Sequence, residues 1–235
     1  MAVDDAVATR VLAFDTFGTV TDWHTGVSGV LRSVFPGIDG SRVARAWRQS
    51  YPGALAEVES GARAWTLLDD LHRETLMALL PGYWEGQVTD EQVDAAVHAW
   101  HVLPGWPDAA EGLRRLAGAF TVCALSNGNV ALLSRMAKAN GFAWDFIAGA
   151  DLWQHYKPAP EVYLGLAELM QVLPSEVMMV ATHASDLDAA RRCGLQTAYV
   201  ERPREWGPDP KPADRDPRNA HHVRDLLELA TRLGC

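Results

Sequence analysis

Short apolar runs alternate with amphipathic stretches along most of this chain. Five runs are apolar at nearly every position, a pattern typical of parallel strands that are buried on both faces of a sheet. These predicted strands cover residues 11–14, 120–125, 146–148, 177–180 and 197–200. Apolar positions three or four residues apart predict helices over residues 108–118, 129–140, 160–171 and 186–193. The alternation predicts an α/β fold with a doubly wound, Rossmann-like parallel sheet.

A long segment without strand character separates the first predicted strand from the second. Its periodicity predicts helices over residues 40–51, 61–80 and 89–101. A crossover between parallel strands needs only about a dozen residues, so this segment is much longer than a connection. We therefore expect a core of residues 1–20 and 101–235, with an inserted helical subdomain at residues 21–100.

The C-terminal region is expected to contain one loop and one helix. Residues 201–218 are rich in proline and charged side chains, which is typical of a surface loop. Residues 221–233 show helical periodicity, and we expect this last helix to pack back onto the core.

Composition narrows the classes of partner and compartment. The chain has 235 residues and a net charge of −9, which argues against nucleic acid because phosphate binding requires a basic surface. No apolar run approaches the ~20 residues that span a bilayer, and residues 1–10 lack the basic and apolar regions of a secretory signal. Three widely separated cysteines do not suggest a disulfide framework. These features predict a soluble, cytoplasmic protein without a membrane partner.

Polar side chains follow several of the predicted strands. Asp15 follows the first, Ser126 and Asn127 follow the second, Lys157 comes after the third, and Asp186 comes after the fourth. Open parallel sheets bind ligands beyond the carboxyl ends of their strands, so we expect these side chains to lie at one edge. An Asp that lies near a cation stays ionised and can act as a nucleophile.

The motifs that contain these residues resemble those of the haloacid dehalogenase superfamily. The first is FDTFGT at residues 14–19, and the leading Asp of this motif is a covalent nucleophile in that superfamily. The order Asp, Ser, Lys, Asp at successive strand ends matches its four motifs, and the insertion at residues 21–100 resembles its cap domain. The resemblance covers nearly the whole chain and implies that superfamily's fold, with Asp15 as the nucleophile.

Two positions distinguish this chain from the phosphatases of that superfamily. Those enzymes carry a second Asp two residues after the nucleophile, as the general acid, and an acid after strand four that helps to hold Mg²⁺. Phe17 and Thr182 stand at these positions here. Mg²⁺ prefers carboxylate oxygens, and a halide leaves without needing a proton. The resemblance therefore implies a dehalogenase that uses no metal or other cofactor.

Three further segments resemble the type II L-2-haloacid dehalogenases: AWRQ at residues 46–49, LSNGN at 125–129 and YKPAPEVY at 156–163. That family hydrolyses a 2-haloalkanoate to the 2-hydroxyalkanoate through an aspartyl ester. The implied partners are this small molecule and water, and homodimer formation stays open. The implied catalytic residues are Asp15, Lys157 and Asp186. The implied residues that bind substrate or halide are Phe17, Thr19, Arg48, Ser126, Asn127, Tyr163 and His183.

The resemblance also implies a division of roles within this set. Arg48 and Asn127 would accept the departing halide, and Ser126 would hold the substrate carboxylate. Thr19 would support the nucleophile. The catalytic Lys and the second catalytic Asp would serve the nucleophile and the hydrolytic water, with Tyr163 nearby.

The match is incomplete after the fourth strand. ATHASD at residues 181–186 stands where the family typically has Ser-Ser-Asn-Ala-Trp-Asp. Ala181 lacks a hydroxyl, His183 replaces an Asn, and Ser185 replaces a Trp that helps to wall the pocket. We expect His183 to line and narrow the halide site, while substrate scope and halide preference stay open.

Other interpretations of the same residues stay open. Ser126 and Asn127 could cap the helix that follows, Asp186 could belong to a capping box, and Arg48 could lie on a solvated basic face. The chain could also be a superfamily phosphatase that acts on a small phosphate ester, or an inactive binding module of the same fold. A phosphonate hydrolase is disfavoured, because residues 21–100 contain no Lys for a Schiff base.

Overall fold

The computed structural model describes residues 8–235, so most of the N-terminal stretch assessed for a secretory signal lies outside the described residues. Six parallel strands form one sheet in the order β3-β2-β1-β4-β5-β6. This is the strand order of the doubly wound Rossmann fold, and the predicted fold class is confirmed. The strands are β1 (Val11–Phe14), β2 (Thr121–Ser126), β3 (Phe146–Gly149), β4 (Val177–Ala181), β5 (Gln196–Val200) and β6 (His221–Val223).

Helices connect the strands, and five of the described α-helices lie between β1 and β2. These five are α1 (Trp23–Val34), α2 (Gly40–Glu59), α3 (Leu68–Leu79), α4 (Asp90–His98) and α5 (Ala109–Leu116). The others are α6 (Val130–Asn140), α7 (Pro160–Leu169), α8 (Ala184–Arg192) and α9 (Leu226–Arg232). Short 3-10 helices cover Leu80–Gly82, Ala99–Val102, Ala150–Leu152 and Pro174–Glu176. The division into a core and a separate inserted subdomain stays a prediction.

Alternate residues of β1 pack on opposite faces of the sheet. Val11 and Ala13 belong to the hydrophobic cluster on one face, and Leu12 and Phe14 belong to the cluster on the other. All four are buried, which explains why the strand is apolar at every position. The cluster that contains Leu12 and Phe14 continues into the helices between β1 and β2, so that this face of the sheet shares its hydrophobic core with them.

The prediction of one helix over residues 221–233 is wrong in its first part. His221–Val223 forms the edge strand β6, which pairs in parallel with β5. Helix α9 begins after Asp225, whose carboxylate accepts a hydrogen bond of 2.7 Å from the backbone N–H of Glu228. An edge strand of three residues is too short to show the alternation that distinguishes a strand from a helix.

Two predicted helix boundaries between β1 and β2 also shift. The helix predicted over residues 40–51 continues through Pro52 to Glu59. The helix predicted over residues 61–80 begins only at Leu68, because the chain first turns at Gly61, which has a φ of 74°. None of the described helices has both the length and the apolar character that crossing a membrane requires.

A buried ion pair joins the loop after β5 to the loop after β1 and to α9. Arg202 donates two hydrogen bonds of 2.8 and 2.7 Å to the carboxylate of Asp108, and a third of 2.8 Å to the carbonyl oxygen of Thr19. Asp108 also accepts 2.8 Å from the N–H of Leu226. The pair therefore fixes the segment that follows the first strand.

Replacing Asp108 with Ala should lower the free energy of unfolding by about 3–5 kcal/mol, because it leaves the buried charge of Arg202 unpaired. Chemical denaturation of both proteins measures this difference. Glu111→Ala is the control, because Glu111 pairs with Arg114 on the exposed surface and such pairs contribute little. Equal losses in the two variants would show that the Asp108 pair has no special role.

Candidate active site

The sheet register places the carboxyl ends of β1, β2 and β4 side by side. Phe14, the last residue of β1, lies opposite Ala124 of β2 and Val180 of β4. Asp15 follows directly, and its N–H donates 3.0 Å to the carbonyl oxygen of Val180. The predicted site residues of these strands therefore meet at one edge of the sheet.

Lys157 lies between two carboxylates at this edge. Its Nζ is 3.0 Å from Oδ1 of Asp15 and 2.5 Å from Oδ2 of Asp186. Tyr163 donates from its hydroxyl to Oδ1 of Asp186 at 2.6 Å. All four side chains are buried. The residues predicted to be catalytic thus form one connected group in which a single cation is shared by two acids.

The two carboxylates differ in their pKa. Burial alone would raise the pKa of Asp15, but the charge of Lys157 and the hydrogen bond from His183 outweigh burial and hold it well below its ordinary value. Burial raises the pKa of Asp186, and the charge of Lys157 does not offset it because Asp15 adds a repelling charge. Such a divergence is typical of two neighbouring acids with different roles: the pKa of Asp15 favours its ionised form, whereas that of Asp186 is raised.

Thr19 supports Asp15 from the same loop. Its hydroxyl donates a hydrogen bond of 2.8 Å to Oδ2 of Asp15 and accepts one of 3.0 Å from the backbone N–H of Thr182. The hydroxyl proton is therefore directed at the carboxylate, and the orientation of that carboxylate is fixed.

Ser126 and Asn127 hold the loops of the site together. The hydroxyl of Ser126 lies 2.6 Å from that of Thr16 and accepts 3.2 Å from the N–H of Gly128. The side-chain amide of Asn127 accepts a hydrogen bond of 2.6 Å from the backbone N–H of Lys157 and donates one of 3.3 Å to the carbonyl oxygen of Lys157. Neither residue caps α6, which begins after Asn129, so the capping interpretation is wrong for both.

Asp186 does not cap a helix either. The residue that precedes α8 is His183, and no side chain caps that end. The carboxylate of Asp186 binds Lys157 and Tyr163 instead. Its place in the first turn of α8 serves to direct it into the site.

Arg48 projects from α2 into an aromatic pocket. Its guanidinium carbon lies 4.4 Å from the ring centre of Tyr51 and 5.9 Å from those of both Phe17 and Trp23. Its Nη1 atom is buried and has no hydrogen-bond partner within the described part of the chain. The interpretation of a solvated basic face is therefore wrong, and a cation with an unused donor faces the first motif.

His183 bridges the nucleophile candidate and a second buried acid. Its Nδ1 lies 3.2 Å from Oδ2 of Asp15, and its Nε2 lies 2.9 Å from Oε1 of Glu205. Burial lowers the pKa of the imidazole, but the carboxylates of Glu205 and Asp15 outweigh burial and raise it to about 10. The ring of His183 contacts these two acids. Its role at the halide site stays a prediction.

Glu205 was missed by the sequence analysis. It lies in residues 201–218, which were expected to form a surface loop, yet it is only 6% exposed and accepts 3.0 Å from the indole N–H of Trp23. The surface prediction is therefore wrong at this residue. The neighbouring Trp206, which packs 5.0 Å from Trp23, is the local signal that could have marked a packed segment.

Gly18 makes room for Glu205. Its φ of 90° lies in the left-handed region, and a Cβ atom built there would lie 2.4 Å from Oε1 of Glu205. Only glycine combines this conformation with so close an approach. The first motif thus contributes both the carboxylate of Asp15 and the space for a second acid beside it.

Tyr51 and Trp23 were also not predicted as site residues. Tyr51 packs on Arg48, and Trp23 contacts both Arg48 and Glu205. Both lie on helices between β1 and β2, where they had no motif to mark them. Within residues 8–235, no cluster of three or more His, Cys, Asp or Glu side chains is arranged to hold a metal ion.

Comparisons with known proteins cover most of the chain. A family model described as haloacid dehalogenase-like hydrolase matches residues 9–194. (S)-2-Haloacid dehalogenase 4A of Burkholderia cepacia is 30% identical over 212 residues, which are 82% of this chain and 83% of the relative.

Two solved structures are similar in both sequence and fold. A defluorinating L-2-haloacid dehalogenase has a TM-score of 0.92 at 37% identity, over 97% of this chain and 96% of the other. A second L-2-haloacid dehalogenase has a TM-score of 0.89 at 37% identity, over 97% of this chain and 100% of the other.

Proposed function

This chain belongs to the haloacid dehalogenase-like hydrolases, and on that premise we propose that it hydrolyses the carbon–halogen bond of a 2-haloalkanoate to give the 2-hydroxyalkanoate. The observation that carries the proposal is the buried Asp15, held ionised by Lys157, together with an Arg48 guanidinium whose Nη1 has no hydrogen-bond partner among residues 8–235. Such a site combines a carboxylate nucleophile with a cation that can receive an anionic leaving group. The likeness to (S)-2- and L-2-haloacid dehalogenases supports the substrate class and an L substrate.

The first step is displacement at carbon. A carboxylate oxygen of Asp15 attacks C2 of the substrate, the new C–O bond forms as the carbon–halogen bond breaks, and the halide leaves with the electron pair. In-line attack inverts the configuration at C2. Arg48 and Asn127 stabilise the departing halide. The guanidinium of Arg48 is a preorganised donor because it lies against aromatic rings. Ser126 binds the substrate carboxylate.

The second step is hydrolysis of the ester. Water attacks the carbonyl carbon of the esterified Asp15 and gives a proton to Asp186, whose raised pKa suits a base. Tyr163 holds Asp186 in place through its hydrogen bond of 2.6 Å. Collapse releases the hydroxy acid and restores the carboxylate.

We further propose that the reaction needs no metal. Phe17 stands two residues after Asp15 and offers a ring in place of a carboxylate, and Lys157 is the cation shared by both acids. Residues 21–100 act as a cap that supplies Arg48 and excludes water during the first step.

The proposal is tested by halide release over L and D forms of 2-fluoro-, 2-chloro- and 2-bromopropionate and over the three haloacetates, with and without a chelator. We expect release from L substrates that the chelator leaves unchanged, and a mass increase on Asp15 in quenched protein. Phosphatase activity on an aryl phosphate that rises with Mg²⁺ would favour the phosphatase alternative. Absence of any adduct and of any turnover would favour a binding module.

Replacing Arg48 with Lys should slow halide release in a single turnover by about 10²–10³-fold, the cost typical of losing one preorganised donor for a developing anion. An ammonium keeps the charge but not the planar fork that lies over Tyr51. Arg42→Lys is the matched control on the same helix, because Arg42 is exposed and contacts Tyr83 instead. Similar rates in both variants would remove Arg48 from the halide site.

A further inference from the structure

We infer that His183 and Glu205 form a charged pair that, together with Thr19, stabilises the oxyanion generated when the ester on Asp15 is hydrolysed. The inference rests on the proposed function and assigns His183 to its second step. Glu205 acts through His183 as a positioning residue.

The two carboxylate oxygens of Asp15 have different surroundings. Within the described residues, side-chain donors reach Oδ1 only from Lys157, at 3.0 Å. Two donors reach Oδ2: the hydroxyl of Thr19 at 2.8 Å and Nδ1 of His183 at 3.2 Å. A carboxylate oxygen has about two lone pairs, so Oδ2 is fully engaged while Oδ1 keeps one free for attack. The substrate is therefore bonded to Oδ1, and Oδ2 becomes the carbonyl oxygen of the ester.

This assignment sets the course of hydrolysis. Water forms a bond to Cγ of Asp15, its proton moves to Asp186, and the carbonyl π electrons move onto Oδ2. The negative charge then lies where Thr19 and His183 already donate. Collapse of the intermediate restores the carbonyl group and breaks the bond from Cγ to Oδ1. Oδ1 takes the proton from Asp186 and leaves as the hydroxyl oxygen of the product. The acid left on Asp15 loses its proton to solvent.

Glu205 determines the protonation of the imidazole. A neutral imidazole has one N–H, and Glu205 at 2.9 Å from Nε2 would take it, leaving a lone pair on Nδ1 against Oδ2 of Asp15. Both contacts are satisfied only when both ring nitrogens carry protons. The charged form is consistent with a pKa raised to about 10 by the carboxylates of Glu205 and Asp15 against the effect of burial. Donors of this kind bind an oxyanion more strongly than neutral ones.

Glu205 matters most after the ester has formed. Esterification removes the charge of Asp15, one of the two acids beside His183, whereas Glu205 does not react and keeps its charge. The indole N–H of Trp23 holds Glu205 at 3.0 Å, and its carboxylate packs against Gly18. Burial raises the pKa of Glu205, but the charge and hydrogen bond of His183 and the charge of Arg48 together outweigh burial and lower it. The pair is therefore maintained through the whole cycle.

Rapid-quench kinetics with 2-chloropropionate separates the two steps. In Glu205→Gln and His183→Leu we expect the first burst of halide to stay within about tenfold of wild type, while ester hydrolysis slows by about 10²–10³-fold. The ester on Asp15 then accumulates and is visible by mass spectrometry. His183→Asn, which restores an N–H donor, should recover part of the second rate.

Glu201→Gln is the matched control. Glu201 lies four residues earlier in the same loop and pairs with His222 at 2.8 Å, away from Asp15, so both rates should stay at wild-type values. Equal slowing of both steps in Glu205→Gln and His183→Leu, or an ester that does not accumulate, overturns the inference. Failure of the proposed function has another signature, namely no Asp15 adduct and no halide in the wild type. His183 is partly exposed, with 27% of its side chain accessible, so its variants carry the test if Glu205→Gln does not fold.

Discussion

Replacing Asp15 with Asn should lower the rate of halide release from a 2-haloacid by at least about 10⁴-fold, a loss of the size found when a covalent nucleophile is removed. The amide of Asn has no anionic oxygen for attack at carbon. It also places an N–H₂ group either against the ammonium of Lys157 or against the donors of Thr19 and His183, which occupy the two sides of the carboxylate. Halide release in the steady state and the mass of quenched protein measure the effect.

The matched control for this exchange is Asp188→Asn. Asp188 is an acid of α8 that pairs with Arg218 at 3.0 Å on the surface, so its loss should leave halide release unchanged. Equal rates for wild type and Asp15→Asn would refute the covalent mechanism. A mass increase on a residue other than Asp15 would assign the nucleophile elsewhere.

Replacing Lys157 with Met should reduce both activity and stability. The variant leaves Asp15 and Asp186 in one buried site without their shared cation, and breaking a buried pair in this way costs about 3–5 kcal/mol of unfolding free energy. Turnover should fall by about 10³-fold or more, because each unit by which the pKa of Asp15 rises above the pH reduces its ionised fraction about tenfold. Lys138→Met, on an exposed lysine of α6, is the control.

The stability loss in Lys157→Met should depend on pH in a defined direction. In the wild type the folded pKa of Asp15 lies below its unfolded value, so its contribution to stability is present above the unfolded pKa and is lost as the pH falls through the folded one. Without Lys157, burial and mutual repulsion raise the pKa of both acids above the unfolded values, and stability then falls as the pH rises. The difference between the two proteins should therefore widen from about pH 5 to about pH 8. A constant difference across this range would contradict the electrostatic explanation.

The parallel sheet could be predicted because its central strands are buried on both faces. Residues of β1 and β4 are apolar at every position, and such runs bounded by turns are visible without any long-range information. The strand β6 was not predicted, because it has only three residues at the sheet edge and two of them are histidines. Its pairing depends on β5 more than on its own sequence pattern.

The predicted site residues were brought together by the same logic. Asp15, Ser126 and Asp186 lie at or just after strand ends, and parallel topology places such positions along one edge. Lys157 follows β3 by eight residues, and only the motif around it indicated that it would serve the nucleophile. Its Nζ lies 3.0 Å from Oδ1 of Asp15.

Glu205 could not be predicted from local pattern. Its partners Trp23 and His183 lie 182 and 22 residues away in sequence, and the surrounding proline and charged residues are typical of a solvated loop. A carboxylate is buried only where donors compensate for lost hydration. Those donors come from helix α1 and from the loop after β4, so the burial is a property of the assembled fold.

The close approach of Gly18 and Glu205 has a consequence for protein engineering. The imidazole, its carboxylate partner and the glycine are contributed by three loops, which follow β4, β5 and β1. Replacing only the Asn at position 183 of a typical family member with His would introduce a ring without the acid that keeps it charged. Adding that acid at position 205 against a bulkier residue at position 18 would create a steric clash. Positions 18, 183 and 205 therefore form one transplantable unit, to be moved between scaffolds together or not at all.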